Sequence, residues 1–241
     1  MTNIAYRPGR LIRRQKLATR VTHWIWAVSL FFLLPTGLQI FNAHPILYLG
    51  DQSGFAFDNA VLRLGEFPGW ATIPSSRDLA TGRVVHFFFA WVFVLNVLIF
   101  FAISWSNRHL QKDLIPNAKD ARNFMQDVRD HVTLKLVHSV RYSPLQKLAY
   151  AGVLFVLFPL IIATGLCMSP GMNAALPWLP ELFGGRQTAR TIHFAVAALL
   201  VAFFAVHLAM ILLAGPVNEL RSIVTGKYRL SAHTSKGRPD V

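Results

Sequence analysis

Four stretches interrupt an otherwise mixed pattern of apolar and polar positions. Residues 21–41, 84–105, 148–168 and 191–214 are apolar runs of 21 to 24 residues, and none contains Asp, Glu, Lys or Arg. An α-helix rises about 1.5 Å per residue, so each run reaches about 30 Å or more, the thickness of a bilayer's hydrocarbon core. In lipid every backbone polar group must be satisfied internally, and these runs are too long for barrel strands, so they predict transmembrane helices. Pro35 and Pro159 are expected to kink the first and third, and Gly215-Pro216 to end the fourth. The predicted fold class is an all-α membrane protein, a four-transmembrane-helix bundle forming one domain over residues 1–241.

The polar connections orient the bundle. The segment before the first run carries Arg7, Arg10, Arg13, Arg14, Lys16 and Arg20 and no acid. The connection 106–147 carries Arg108, Lys112, Lys119, Arg122, Arg129, Lys135 and Arg141, and the tail carries Arg221, Lys227, Arg229, Lys236 and Arg238. Connections 42–82 and 169–189 hold only Arg63, Arg77 and Arg186. The positive-inside rule therefore predicts both termini and connection 106–147 in the cytoplasm, with the other two connections outside. Trp24, Trp26 and Trp105 then fall at the cytoplasmic interface. The first run is too long for a signal-peptide core and lacks a small-residue cleavage site after it, so it is expected to be retained. Connection 42–82, rich in Gly, Pro and aromatic residues, suits an ordered cap or docking surface. Residues 119–136 set Phe124, Val128 and Val132 at helical spacing and predict an amphipathic helix on the membrane surface.

Composition narrows the function. Only 15% of residues are charged, against about 25% in soluble domains, which excludes disordered and coiled-coil proteins. The net charge of +13 would suggest nucleic acid in a soluble chain. Here it is topological, and the expected partner of the surface is membrane lipid, not nucleic acid. A lone cysteine, Cys167, forms no intrachain disulfide and provides no framework for zinc, an iron–sulfur cluster or covalent haem attachment. P-loop and dinucleotide-binding glycine motifs are absent.

Histidine supplies the candidate chemistry. Of nine histidines, His23, His86, His193 and His207 lie inside the runs. Ionisable groups at membrane depth are costly and point to function. The topology sets His23 and His207 at inner depth, and His86 and His193 at outer depth. His193 and His207 are fourteen residues apart, which is close to four turns, so they share a helix face about 21 Å apart. One helix thus presents two imidazoles, and a facing helix offers a partner for each. This is the arrangement of two bis-histidine haems stacked across the bilayer. The apolar runs contain no carboxylate for a zinc or carboxylate-bridged site, and neutral imidazole suits iron.

Arg20, Arg83 and Arg190 each precede a run histidine by three residues, one turn nearer the water. Arginine's fork matches a carboxylate, so these residues are candidates for the haem propionates; the plainer reading is interfacial anchoring. Gly37, fourteen residues after His23, is a candidate for close porphyrin approach or for ordinary helix packing. His44, His109, His131, His138 and His233 are expected in loops, interfaces or the tail. Met168, Met210 and Cys167 are expected to pack, and Asn96 to hydrogen-bond between helices.

These residues resemble the bacterial cytochrome b561 family, which includes the cytochrome b subunits of nickel–iron hydrogenases, formate dehydrogenases and thiosulfate reductases. The likeness rests on Arg20-x-x-His23-Trp24, Arg83-x-x-His86 and the His193/His207 pair within a four-helix layout whose third span has no histidine. It implies two non-covalent haem b groups, with His23 and His207 on the inner iron and His86 and His193 on the outer iron. It also implies a multi-pass protein of the bacterial inner membrane that exchanges electrons with quinone. His44-Pro45-Ile46-Leu47-Tyr48, the segment from Thr164-Gly165 to Ser169-Pro170, and Phe183-Gly184-Gly185-Arg186-Gln187 are similar to the branch serving periplasmic molybdopterin oxidoreductases. The function expected is transmembrane electron transfer between the quinone pool and such an enzyme. Three alternatives stay open: a self-standing haem quinone reductase, a histidine-relay transporter, and a non-catalytic membrane anchor.

Overall fold

The computed structural model describes residues 9–54, 59–106, 118–133 and 143–230. Among them, four helices are long and apolar enough to cross a membrane: Leu17–Asn42 (α1), Leu79–Ser106 (α2), the helical run Pro144–Met168, and Arg186–Ala214 (α8). The third comprises α4 (Pro144–Gly152), a π-helical turn over Val153–Leu157, and α5 (Phe158–Met168). Pro159 lies just after that turn. A ring nitrogen without a hydrogen cannot continue the i→i−4 ladder, and the wider turn accommodates the break. Phe31, Trp91, Leu98, Leu199 and Leu212 are exposed on the spans, as lipid-facing residues must be.

Each helix begins about a turn before the apolar run within it. Charge ends a run in the sequence but not a helix in space, since caps carry the backbone into the interface. Asp78 accepts from the Thr81 N–H at 3.0 Å and starts α2; hydrogen bonds from the Thr81 side chain and backbone hold its carboxyl below the ordinary value. Ser143 starts α4 with a reciprocal cap. Its hydroxyl accepts from the Gln146 N–H at 3.3 Å, and the Gln146 side chain accepts from the Ser143 N–H at 3.1 Å. Arg20, Arg83 and Arg190 therefore lie inside helices, and each shares a face with the histidine three residues on.

The chain divides into two compact units. The first comprises Met1–His23, Phe100–Val153 and Phe203–Val241. In it, strands β1 (Leu11–Arg13) and β4 (Lys227–Arg229) pair antiparallel, Ile12 opposite Tyr228. Helix α9 (Pro216–Thr225) precedes β4 and ends at Gly226, whose φ of 79° is open to glycine. Arg14 bonds both oxygens of Glu219 on α9, at 3.0 and 3.1 Å, and lies 4.6 Å from the centre of the Tyr228 ring. Burial, reinforced by Glu219, raises the Tyr228 phenol above its usual value. The predicted amphipathic helix is α3 (Ala118–Val132), with Phe124 and Val128 half-buried and Arg122, Met125 and Arg129 exposed. Asp127 on α3 accepts from the Leu145 N–H at 2.8 Å and ties α3 to α4.

The second unit comprises Trp24–Ile99 and Leu154–Ala202. Its core includes Phe93, Val97, Phe158 and Val196, with Phe93 and Trp26 both set edge-on against Phe158. Connection 42–82 is ordered where described. Strands β2 (Ile46–Tyr48) and β3 (Ala60–Arg63) form a hairpin. Asn42 brackets the Phe67 backbone with two 2.8 Å hydrogen bonds. Connection 169–189 folds into two short helices, α6 (Pro170–Ala175) and α7 (Trp178–Leu182). The start of α8 is capped from the hairpin segment: Gly50 O accepts from the Gln187 and Thr188 N–H groups, and Asp51 accepts from the Arg186 N–H. The two short ladders are the departure from an all-helical expectation, and both lie outside the spans.

Candidate haem centres

In the first unit, His23 on α1 and His207 on α8 face one another, with ring centres 6.3 Å apart and ring planes inclined at 49°. Phe203, one turn before His207, stacks on it at 5.9 Å. A metal–imidazole bond is about 2 Å and the ring roughly 1 Å from centre to nitrogen, so two imidazoles on one metal have centres roughly 6 Å apart. The observed pair has that separation. Among the described residues, no three His, Cys, Asp or Glu side chains gather into a site for a bare ion. Two neutral imidazoles with no third protein ligand fit an iron whose remaining ligands come from a porphyrin.

The second unit holds the other two span histidines, His86 on α2 and His193 on α8. Each ring is held by the neighbouring span. Thr36 Oγ1 is 3.0 Å from His86 Nδ1, and Thr164 Oγ1 is 3.1 Å from His193 Nδ1. Both threonines are fully buried. The residue after each is glycine, and it faces the same ring. A Cβ added at Gly37 would stand 3.3 Å from His86 Cε1, and one at Gly165 would stand 3.3 Å from His193 Cε1. The close approach that Gly37 permits in the structure is that of an imidazole.

The three arginines differ. Arg20 gives a hydrogen bond to the Val224 carbonyl, while its buried Nε has no partner among the described residues. It lines a basic cleft of about 410 Å³ with Leu11, Ile12, Arg13, Thr225 and Lys227. Arg190 is engaged by the carbonyls of Ile46, at 2.8 Å, and His44, and packs over Phe41. Arg83 is exposed beside the Phe87 ring, 5.6 Å from its centre. An orphaned Arg20 donor in a basic cleft fits a carboxylate. Arg190 in the structure ties the hairpin segment to α8.

His44 is a loop residue beside Tyr48. His109, His138 and His233 lie outside the described residues, as does the His131 side chain. Cys167 and Asn96 are buried, as expected of packing and interhelical positions.

The sequence profile of prokaryotic cytochrome b561 matches residues 14–226, all four spans. The chain belongs to the prokaryotic cytochrome b561 family. A relative from Azospira oryzae, named as a protein-methionine-sulfoxide reductase subunit, YedZ1, is 30% identical over 196 residues, covering 80% of this chain and 87% of the relative. This cytochrome is accordingly a multi-pass protein of the bacterial inner membrane, binding b-type haem and working in electron transfer.

Sequence reasoning identified the histidines but assigned no role to Thr36, Thr164 or Gly165. The available signal was a Thr-Gly dipeptide occurring in two of the four apolar runs, each preceding in the chain a span with an outer-depth histidine.

Proposed function

We propose that this cytochrome b561 carries electrons between membrane quinone and a periplasmic redox enzyme, of molybdopterin type, through two bis-histidine haem b groups. The observation that carries the reading is the facing His23–His207 pair; His86 and His193, each seated against a Thr-Gly pair of a neighbouring span, support a second site of the same kind. Bound haem supplies one-electron exchange, and the protein supplies ligation, low dielectric and position. His23 and His207 would hold one haem, and His86 and His193 the other. Fourteen residues, close to four helical turns, separate His193 from His207 in the sequence, which supports sites at two membrane depths. The lysine- and arginine-rich termini put the first pair on the cytoplasmic side. Arg20 offers its free Nε–H to a propionate there. Arg83, exposed one turn before His86, is the corresponding candidate outside, and Arg190 keeps its remaining donors for the same role.

Connections 42–82 and 169–189 form the docking surface for the enzyme, exposing Trp70, Trp178 and Leu182 on an ordered frame. The relative's name, a reductase subunit, agrees with service to such a partner. The test is affinity purification from mild detergent, followed by quinol oxidation in the captured assembly. A co-purifying periplasmic oxidoreductase and quinol-dependent haem reduction are expected. Rapid quinol turnover by the isolated chain, with a small acceptor and no partner, would favour the self-standing reductase.

A further inference from the structure

The third span contributes no histidine, yet its Thr164-Gly165 pair meets His193 as Thr36-Gly37 of the first span meets His86. The two contacts match in detail. The Thr36 hydroxyl lies 2.6 Å from the Phe32 carbonyl and 3.2 Å from that of Leu33. The Thr164 hydroxyl lies 2.7 Å from the Leu160 carbonyl and 3.2 Å from that of Ile161. A hydroxyl has one proton to give, and a carbonyl can only accept. Each threonine proton is therefore committed to its own helix, and the oxygen facing the imidazole has only lone pairs to offer. Nδ1 must then carry the hydrogen. A neutral imidazole protonated at Nδ1 has its free lone pair on Nε2. With both threonines fully buried, no water competes for either contact.

We infer that Thr36 and Thr164 are positioning residues that fix the tautomer and ring orientation of His86 and His193, so that each presents a bare Nε2 to the same iron. The adjacent glycines act with them. Successive helix residues point about 100° apart, so hydroxyl and glycine reach two parts of one ring. The missing Cβ lets the ring seat against the neighbouring backbone. This role rests on the reading that His86 and His193 ligate the second haem. A hydrogen bond from Nδ1–H makes the imidazole a stronger donor through Nε2 and favours ferric iron.

The test uses Thr36→Val and Thr164→Val, which keep shape and remove the hydroxyl, with Thr36→Ser and Thr164→Ser restoring it. Haem content, redox titration and low-temperature EPR of the purified full chain are the readouts. Each valine variant is expected to raise the midpoint potential and move the ferric EPR signal of one haem only, the same haem for both, with serine returning both towards parent. Loss of that haem in the valine variant and its retention in the serine variant would equally support the role. Unchanged potential and EPR, a shift in the other haem, or failure of serine to rescue would overturn it. His86→Ala and His193→Ala separate the two claims. If either retains the parent haem content, the ligation itself is wrong, whatever the threonine variants do.

Discussion

The proposed His23–His207 and His86–His193 pairs offer the same candidate ligands but are held differently. The first pair is direct: two rings face each other at 6.3 Å, and the shaping neighbour is aromatic, Phe203 stacked on His207. Its surroundings are secured by the termini, through the β1–β4 ladder and the Arg14–Glu219 ion pair. The second pair is indirect. Each ring is held by a hydroxyl and a glycine from another span, and the start of α8 is capped by the Gly50–Asp51 segment. Four histidines supply the candidate ligands of the two proposed sites. The posture of a ring, and so the nitrogen it presents, depends on neutral residues around it.

Removing a histidine should have the largest effect. His193→Ala should reduce haem from two per chain to one, leaving the signal of the His23–His207 site, while His207→Ala should leave the other. Pyridine haemochrome assay with low-temperature spectra distinguishes them. Loss of the same haem from both variants would contradict the pairing. The glycines come next. Gly165→Val and Gly37→Val place branched carbons where a bare Cβ is already 3.3 Å from an imidazole carbon. Most of the second haem should be lost, with Gly→Ala intermediate and the first haem retained, all read from the same spectra.

A smaller effect is expected where the first unit is secured. Arg14→Ala leaves Glu219 unpaired at 23% side-chain exposure. Charged hydrogen bonds of this kind contribute about 1.5–3 kcal/mol. The terminal ladder should become more sensitive to limited proteolysis, and the midpoint of thermal unfolding should fall, without change in the EPR of the second haem. The smallest effect belongs to Asp78. Its carboxyl is held below the ordinary value, so its contribution is full above the unfolded aspartate range, near pH 4, and fades as pH falls through the lower folded value. Asp78→Ala should melt slightly lower than parent at neutral pH, and the two melting curves should converge on acidification.

The spans were legible because a bilayer imposes its thickness on the sequence as uncharged length. The histidines were legible because an ionisable group in such a run stands out. The helix starts were less so: hydropathy stops at Arg20, Arg83 and Arg190, whereas helix ends follow caps such as Asp78 and Ser143. Thr36 and Thr164 were hidden because a membrane threonine usually satisfies its hydroxyl on its own helix. These two also do so, and only the fold reveals that the oxygen's lone pairs face an imidazole. The second role of Arg190, on the carbonyls of His44 and Ile46, depends on a long-range contact that no local pattern announces.

The proposed function requires one haem on each of two histidine pairs. Its most direct test is the haem-to-protein ratio of the purified full chain, by pyridine haemochrome, with a reduced-minus-oxidised spectrum. About two b-type haems per chain, both low-spin, are expected from bis-histidine ligation; a ratio of one or none would contradict the account.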